Sequence, residues 1–119
     1  MEQNIFQNTL EEIQKKFPER KDTLLLLLVD KPGDSRIRLM AQQPDGYVEC
    51  LQLAVYTNRK VMEILAALKE EFGALQTDPA STEQWDAVAL MIDPDGRMQV
   101  SFKDNRILDH WDRPEYIFA

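Results

Sequence analysis

The sequence contains few of the side chains on which catalytic and metal sites depend. It has one histidine, one cysteine and four dispersed glycines among its 119 residues. A protein zinc site needs three or four ligands, an internal disulfide needs two cysteines, and a phosphate-binding loop needs clustered glycines. We therefore expect no bound metal, no internal disulfide and no cofactor. A single cysteine also favours a reducing, cytosolic location.

Long apolar runs and a secretion signal are absent as well. The longest apolar run, residues 24–29, is far shorter than the roughly 20 residues that a membrane-spanning helix needs. The start, Met1-Glu2-Gln3-Asn4, lacks the basic and apolar regions of a signal peptide. With 44% hydrophobic and 29% charged residues, the sequence predicts one globular domain over residues 1–119, cytoplasmic and without a membrane partner.

Negative charge is concentrated in one stretch of the chain. The formal net charge is −7, and residues 70–95 contain no lysine or arginine. Seven acids lie in this stretch: Glu70, Glu71, Asp78, Glu83, Asp86, Asp93 and Asp95. An anionic surface repels nucleic acids and anionic membranes and attracts basic partners. The stretch is either a solvated face kept for solubility or a partner-binding surface, so nucleic acid is not an expected partner.

Apolar periodicity predicts two helices. Phe6, Leu10, Ile13 and Phe17 recur at helical spacing, which predicts a helix over residues 3–17 that ends at Pro18. A second helix is expected to begin at Thr57 or Asn58 and to end at Gly73. Its single apolar stripe consists of Val61, Ile64, Leu65, Leu68 and Phe72.

Five short runs between turn signals predict strands. They are residues 23–29, 36–41, 47–53, 85–93 and 97–103. The expected fold is α+β: an antiparallel sheet of about five strands in the order α-βββ-α-ββ, packed against two helices. Five consecutive leucines suggest that both faces of the first strand are covered. A short C-terminal tail is expected to contain a helical piece near residues 107–111 and an extended end.

The individual candidates for chemistry have simpler structural interpretations. His110 is expected at a surface beside acids, and Cys50 is expected to be a half-buried structural residue in the third strand. Asp93-Pro94-Asp95-Gly96 is better explained as a hairpin turn than as a calcium loop. Arg36 and Arg38 share a strand face and are predicted to pair with acids on neighbouring strands. We therefore expect that the protein is not an enzyme.

A family resemblance lies in the C-terminal half. The run from Trp85 to Phe102 is a Trp, an apolar strand, an Asp-Gly turn and a second strand ending in Phe. It resembles the hairpin of the YezG-like immunity proteins, and the order of elements is similar over nearly the whole chain. Trp111 and Tyr116 resemble the Trp and Tyr that follow that hairpin. The resemblance implies binding and neutralisation of a cognate toxin domain, often a nuclease, in bacterial contact-dependent or polymorphic toxin systems.

The expected contact surface combines charge with aromatic anchors. Its electrostatic part consists of Glu70, Glu71, Asp78, Glu83 and Asp86. Trp111 and Tyr116 are candidate anchors for which core and interface positions are both open, whereas Trp85 is expected in the core. Two other functions stay open: an adaptor or regulatory subunit that docks on a basic protein surface, and a small enzyme that uses His110 with neighbouring acids.

Overall fold

A five-stranded antiparallel sheet forms the centre of the fold. The structure, a computed structural model, describes residues 6–77 and 85–118. The elements are α1 (Gln7–Lys16), β1 (Leu24–Lys31), β2 (Asp34–Gln43), β3 (Gly46–Glu49), α2 (Asn58–Gln76), β4 (Ala87–Ile92), β5 (Met98–Ser101) and α3 (Asp104–Asp109), with 3-10 turns at Cys50–Gln52 and Pro114–Tyr116. The predicted α+β class and α-βββ-α-ββ order are confirmed.

The leucine-rich strand is the middle strand of the sheet. The strand order is β3-β2-β1-β4-β5, and every residue of β1 from Leu24 to Val29 is buried. Leu26 lies between Leu39 and Leu90 in the register, and Leu27 lies between Arg38 and Ala89. Because successive side chains of a strand point to opposite faces, the run of leucines supplies two separate cores. The prediction that both faces are covered is confirmed.

Helices α1 and α2 cover one face of the sheet, called here the helix face. The stripe predicted for α2 is buried, and it packs on Leu24, Leu26 and Leu28 of β1. The two helices run antiparallel, since Lys60 near the start of α2 hydrogen-bonds to the Lys16 carbonyl near the end of α1. Among residues 6–77 and 85–118 there is no helix long and apolar enough to span a membrane.

The C-terminal tail covers the opposite face, called here the tail face. Ile107 of α3 and Ile117 pack against the buried residues Leu25, Leu27, Val29, Met40, Ala87 and Ala89 of the sheet. The guanidinium Nε of Arg106 donates to the carbonyl of Ile117 at 2.9 Å, which joins α3 to the end of the tail. The prediction of two helices packed on the sheet is therefore incomplete, because it does not include this second layer.

Two local predictions are wrong, and a third is tested only in part. The third strand ends at Glu49, because the chain turns at Cys50–Gln52 to cross to the helix layer; this turn buries Cys50 fully in the helix-face core. Gly73 lies inside α2, which continues to Gln76 because the Gln76 amide donates to the backbone of Asp30 and Trp85. Helix α1 begins at Gln7, and residues 3–5 of its predicted range lie outside the described residues.

The turns follow their sequence signals. Gly33, Gly46 and Gly96 have positive φ angles of 84°, 128° and 93°, which glycine adopts without the steric cost of a Cβ. In the last hairpin the Asp93 amide donates to the Arg97 carbonyl, and the Gly96 amide donates to the Asp93 carbonyl, each at 2.9 Å. The hairpin interpretation of Asp93-Pro94-Asp95-Gly96 is confirmed.

Candidate functional site

The fold separates the acids of residues 70–95. Asp86 directly precedes β4 and Asp93 directly follows it, so the strand carries them to opposite ends of the sheet. At about 3.3 Å a residue, the seven steps from Asp86 to Asp93 place them roughly 23 Å apart. The stretch is therefore not a single acidic surface. Asp78 and Glu83, two of the predicted contact residues, lie outside the described residues.

Asp30 and Asp86 lie together beside the end of α2, and Glu70 lies six residues before that end on the exposed side of the helix. We call Asp30, Glu70 and Asp86 the acidic end. The Asp30 amide donates to the Asp86 carbonyl at 2.8 Å, and Gln76 at the end of α2 hydrogen-bonds to the Asp30 carbonyl at 3.0 Å. Glu70 is exposed and Asp86 half-buried. Within the described part of the chain, none of the ion pairs includes an acid of this group.

The carboxyl end of α2 adds to the negative potential there. Aligned peptide dipoles give a helix C-terminus a partial charge of about −0.5. The 19 residues of α2 point this end toward the Asp30 and Trp85 backbone, next to Asp86. A positively charged partner would therefore meet side-chain charge and a helix dipole of the same sign.

Glu71 has a structural role that its position in the sequence does not reveal. Its carboxylate accepts hydrogen bonds from the amides of Asn8 and Thr9, at 3.0 and 2.7 Å, and from the Thr9 hydroxyl at 2.5 Å. The first amides of a helix have no partner within the helix, and Phe6 at the N-cap supplies no side-chain acceptor. Glu71 of α2 therefore caps α1 across the helix pair, and its charge is already engaged within the chain.

The other two acids of the stretch are associated with bases of this chain. Arg20 donates to the backbone carbonyl of Asp93. Asp95 pairs with Arg97 at 3.1 Å, and the hydrogen bond from the Arg97 backbone amide, with the Arg97 side chain, lowers the pKa of Asp95. Glu70 and Asp86 are therefore the described acids of the stretch that no base among the described residues contacts.

Trp111 covers two arginines on the tail face. The guanidinium carbons of Arg36 and Arg38 lie 4.8 and 5.6 Å from the centre of its ring, within cation–π range. Arg38 also forms an ion pair with Glu49 on the neighbouring strand, as predicted. Arg36 instead pairs with Asp34 of its own strand at 2.7 Å, because side chains two residues apart in a strand point to the same face. Trp111 is half-buried and packs against the tail-face core.

Tyr116 is the more accessible of the two candidate anchors. Its side chain is 45% exposed, and its ring lies 5.7 Å from the ring of half-buried His110. Trp85 stacks on Phe102 at 4.4 Å and packs against the helix-face core as predicted, with its side chain half-buried. Tyr116 therefore offers an exposed aromatic surface, whereas Trp111 contributes largely to packing within the chain.

Cys50 does not have the environment of an activated nucleophile. Burial, together with Glu49 and Asp22, raises the pKa of the Cys50 thiol to about 12. A thiol with this pKa is protonated at neutral pH, and the thiolate is the reactive form. Within residues 6–77 and 85–118, no group of three or more His, Cys, Asp and Glu side chains has the arrangement of a metal site.

The sequence predictions do not include a basic groove at the opposite end of the molecule. It lies where the end of α1 and the loop after it meet the start of α2, and its lining includes Lys16, Arg20, Lys21 and Lys60. The only sign of this groove in the sequence is its two basic pairs, Arg20-Lys21 and Arg59-Lys60. They lie about 40 residues apart, and only the antiparallel packing of α1 on α2 brings them to one place.

Comparisons with known proteins identify no family for this chain. No protein-family model matches it, and the curated proteins give no significant match. The resemblance to YezG-like immunity proteins therefore stays a prediction.

Proposed function

We propose that this chain is a cytoplasmic immunity protein that binds and neutralises a cognate bacterial toxin domain, a basic nuclease being the expected target. The observation that supports this best is the acidic end, where Asp30, Glu70 and Asp86 lie beside the C-terminus of α2 without a basic partner among the described residues. The order of elements, which resembles that of YezG-like proteins, supports the same function.

The physical basis is charge complementarity. A nuclease binds a polyanion, so its active cleft carries positive potential. An acidic surface presented to that cleft accelerates encounter and favours one orientation, and it competes with the nucleic acid for the same charges. The exposed ring of Tyr116 is a candidate for the buried anchor on which a tight complex depends.

An adaptor or regulatory subunit would use the same surface for a different purpose. Docking on a basic protein surface requires the acidic end but neither an active cleft nor inhibition. The two functions differ in outcome: an immunity protein abolishes its partner's toxicity, whereas an adaptor leaves the partner active. The experiment below separates them.

The direct test uses the toxin candidate encoded next to this gene. If a large secreted protein is encoded next to this gene, its C-terminal domain is expressed from an inducible promoter in a bacterial host, with or without this chain. We expect the domain to arrest growth alone and co-expression of this chain to restore growth through a complex that co-purifies. A complex without rescue would favour the adaptor, and the lack of any toxic neighbour would contradict an immunity role.

Charge reversal tests the acidic end itself. In the Glu70→Lys/Asp86→Lys variant we expect association with the toxin domain to slow about tenfold, with a weaker salt dependence, because steering by the acidic end is lost. The control is Asp45→Lys/Asp95→Lys, which changes the net charge equally at turns on the opposite end. Equal association rates for the two variants, measured by stopped flow, would remove the acidic end from the mechanism.

A further inference from the structure

A groove of about 610 Å³ lies at the end of the molecule opposite the acidic end. Its lining comes from the end of α1, the loop that follows, the end of β2, and the start of α2 with the two residues 55 and 56 before it. Small-molecule sites in proteins typically enclose about 300–1,000 Å³. The groove therefore has the size of a site for a small ligand.

Aromatic side chains form the apolar part of the groove. Phe17 and Tyr56 pack edge to face with ring centres 4.9 Å apart, and both are almost fully buried. The Tyr56 hydroxyl donates to the Asp22 carboxylate at 2.6 Å, which fixes its ring. Val55 is 73% exposed at the rim. A ligand in the groove would contact an ordered apolar floor and an exposed aliphatic side chain.

The groove reverses the charge of the molecule locally. The chain has a net charge of −7, yet the lining includes four basic residues and two acids, Glu19 and Asp22. Lys16 is already paired with Glu12 and Glu63. Within the described part of the chain, no ion pair engages the other three bases, Arg20, Lys21 and Lys60. Lys60 lies 5.6 Å over the Phe17 ring, and the charges of Asp22, Asp93 and Asp95 act on Arg20, so the positive charge that is left favours an anion of low charge.

Arg20 adds an unmet hydrogen-bond donor. Its terminal nitrogen donates to the Asp93 carbonyl, which holds the guanidinium in place. Its Nε is buried and has no acceptor among the described residues. A buried donor without an acceptor is unfavourable, and burial is also the chief cause that lowers the pKa of Arg20. An anion in the groove would act on the charge of this guanidinium at a distance, since the Nε has almost no accessible surface for direct contact.

We propose that this groove binds a small monocarboxylate with an apolar body, either a free acid or the C-terminus of a peptide. Arg20, Lys21 and Lys60 face the carboxylate, and Phe17, Val55 and Tyr56 face the apolar body. The lining acids Glu19 and Asp22 disfavour a dianionic phosphate more strongly than a monoanion. This site is separate from the acidic end and independent of the toxin partner.

The test compares acids with a neutral analogue of the same shape. N-acetylleucine, N-acetylleucinamide and hexanoate are titrated into the isotope-labelled protein, and amide chemical shifts are followed by NMR. We expect saturable shifts at residues 17–22 and 55–60 with N-acetylleucine, and about tenfold weaker binding of the amide because the charged hydrogen bonds are lost. Stronger binding of hexanoate would identify a free acid as the source, and stronger binding of N-acetylleucine a peptide terminus.

Lysine variants locate the binding. Lys21→Gln/Lys60→Gln removes two positive charges from the groove, and Lys69→Gln/Lys103→Gln removes two from exposed positions elsewhere. We expect the first variant to weaken N-acetylleucine binding about five- to tenfold and the second to leave it unchanged. Equal affinity for acid and amide, no saturable shift, or equal loss in both variants would each overturn the proposal.

Discussion

The two faces of the sheet are built from the same strand in different ways. Leu26 and Leu27 are neighbours in β1, and both have no exposed surface. Leu26 faces α1 and α2, two regular helices of 10 and 19 residues. Leu27 faces the tail, whose regular structure is the six-residue α3 and one 3-10 turn.

The difference shows that a sheet face can be covered either by regular helices or by a largely irregular segment. On the helix face, an apolar stripe fills the space above the strands with side chains fixed along a rigid rod. On the tail face, single residues such as Ile107 and Ile117 fill the core, and backbone hydrogen bonds hold the segment between them. We infer that the tail relaxes more readily around a lost side chain than the helix pair does.

The largest expected effect compares these two neighbouring leucines. We expect Leu26→Ala to destabilise the fold by about 4 kcal/mol and Leu27→Ala by about 2.5 kcal/mol. The chemical change is identical, so the difference reports how far each face collapses into the cavity. Urea unfolding followed by circular dichroism measures both values, with similar m-values as the check on two-state behaviour.

The reverse order would show that the tail is the more rigid cover. Equal losses would mean that cavity relaxation does not differ between the faces. Either result removes the proposed contrast between a rigid helix layer and an adaptable tail.

The helix face is also the face that the sequence predicts well. The stripe of α2 and the leucine run of β1 are periodic signals, and periodicity is what a sequence shows directly. The residues of the tail that enter the core show no periodic spacing in the sequence. Their burial depends on where the chain places Ile107 and Ile117 after the last hairpin. The same limit applies to the candidate site: adjacency in sequence does not reveal that Glu70 is exposed while Glu71 caps another helix.

The second prediction concerns what joins α1 to the helix face. We expect Glu71→Ala to destabilise the protein by about 2–3 kcal/mol, because the buried Thr9 hydroxyl and two helix amides lose their acceptor. Glu70→Ala is the matched control, since it removes the same group from an exposed neighbouring position, with a change below about 0.5 kcal/mol. Thermal and urea unfolding of both variants provide the measurement.

Hydrogen exchange shows which part of the molecule loses stability in Glu71→Ala. In Glu71→Ala we expect faster exchange of the Asn8, Thr9 and Leu10 amides than in Glu70→Ala, because the first turn of α1 frays without its cap. Equal stability of the two variants would assign Glu71 to the exposed acids and return it to the predicted contact surface.

The smallest expected effect is a pH dependence of the free energy of unfolding. It comes from the Cys50 thiol, which is buried in the helix-face core. The thiol's ordinary pKa is 9.0, and burial raises it to about 12 in the folded protein. Above about pH 9 the unfolded chain loses this proton while the folded chain keeps it, so the free energy of unfolding falls as the pH rises. Between about pH 8 and pH 10 the loss attributable to Cys50 is about 1.4 kcal/mol.

Cys50→Ala isolates this contribution. The variant loses some stability at every pH because a buried sulfur is removed, but we expect its decline between about pH 8 and pH 10 to be shallower than that of the unsubstituted protein by about 1.4 kcal/mol. Tyr56, whose pKa is raised chiefly by burial and to a smaller extent by Cys50, contributes mainly as the pH passes its ordinary value of 10.0, so the comparison is made below about pH 10. Parallel declines would mean that the folded thiol titrates near its ordinary pKa, which requires water or a base to reach Cys50 beneath α2.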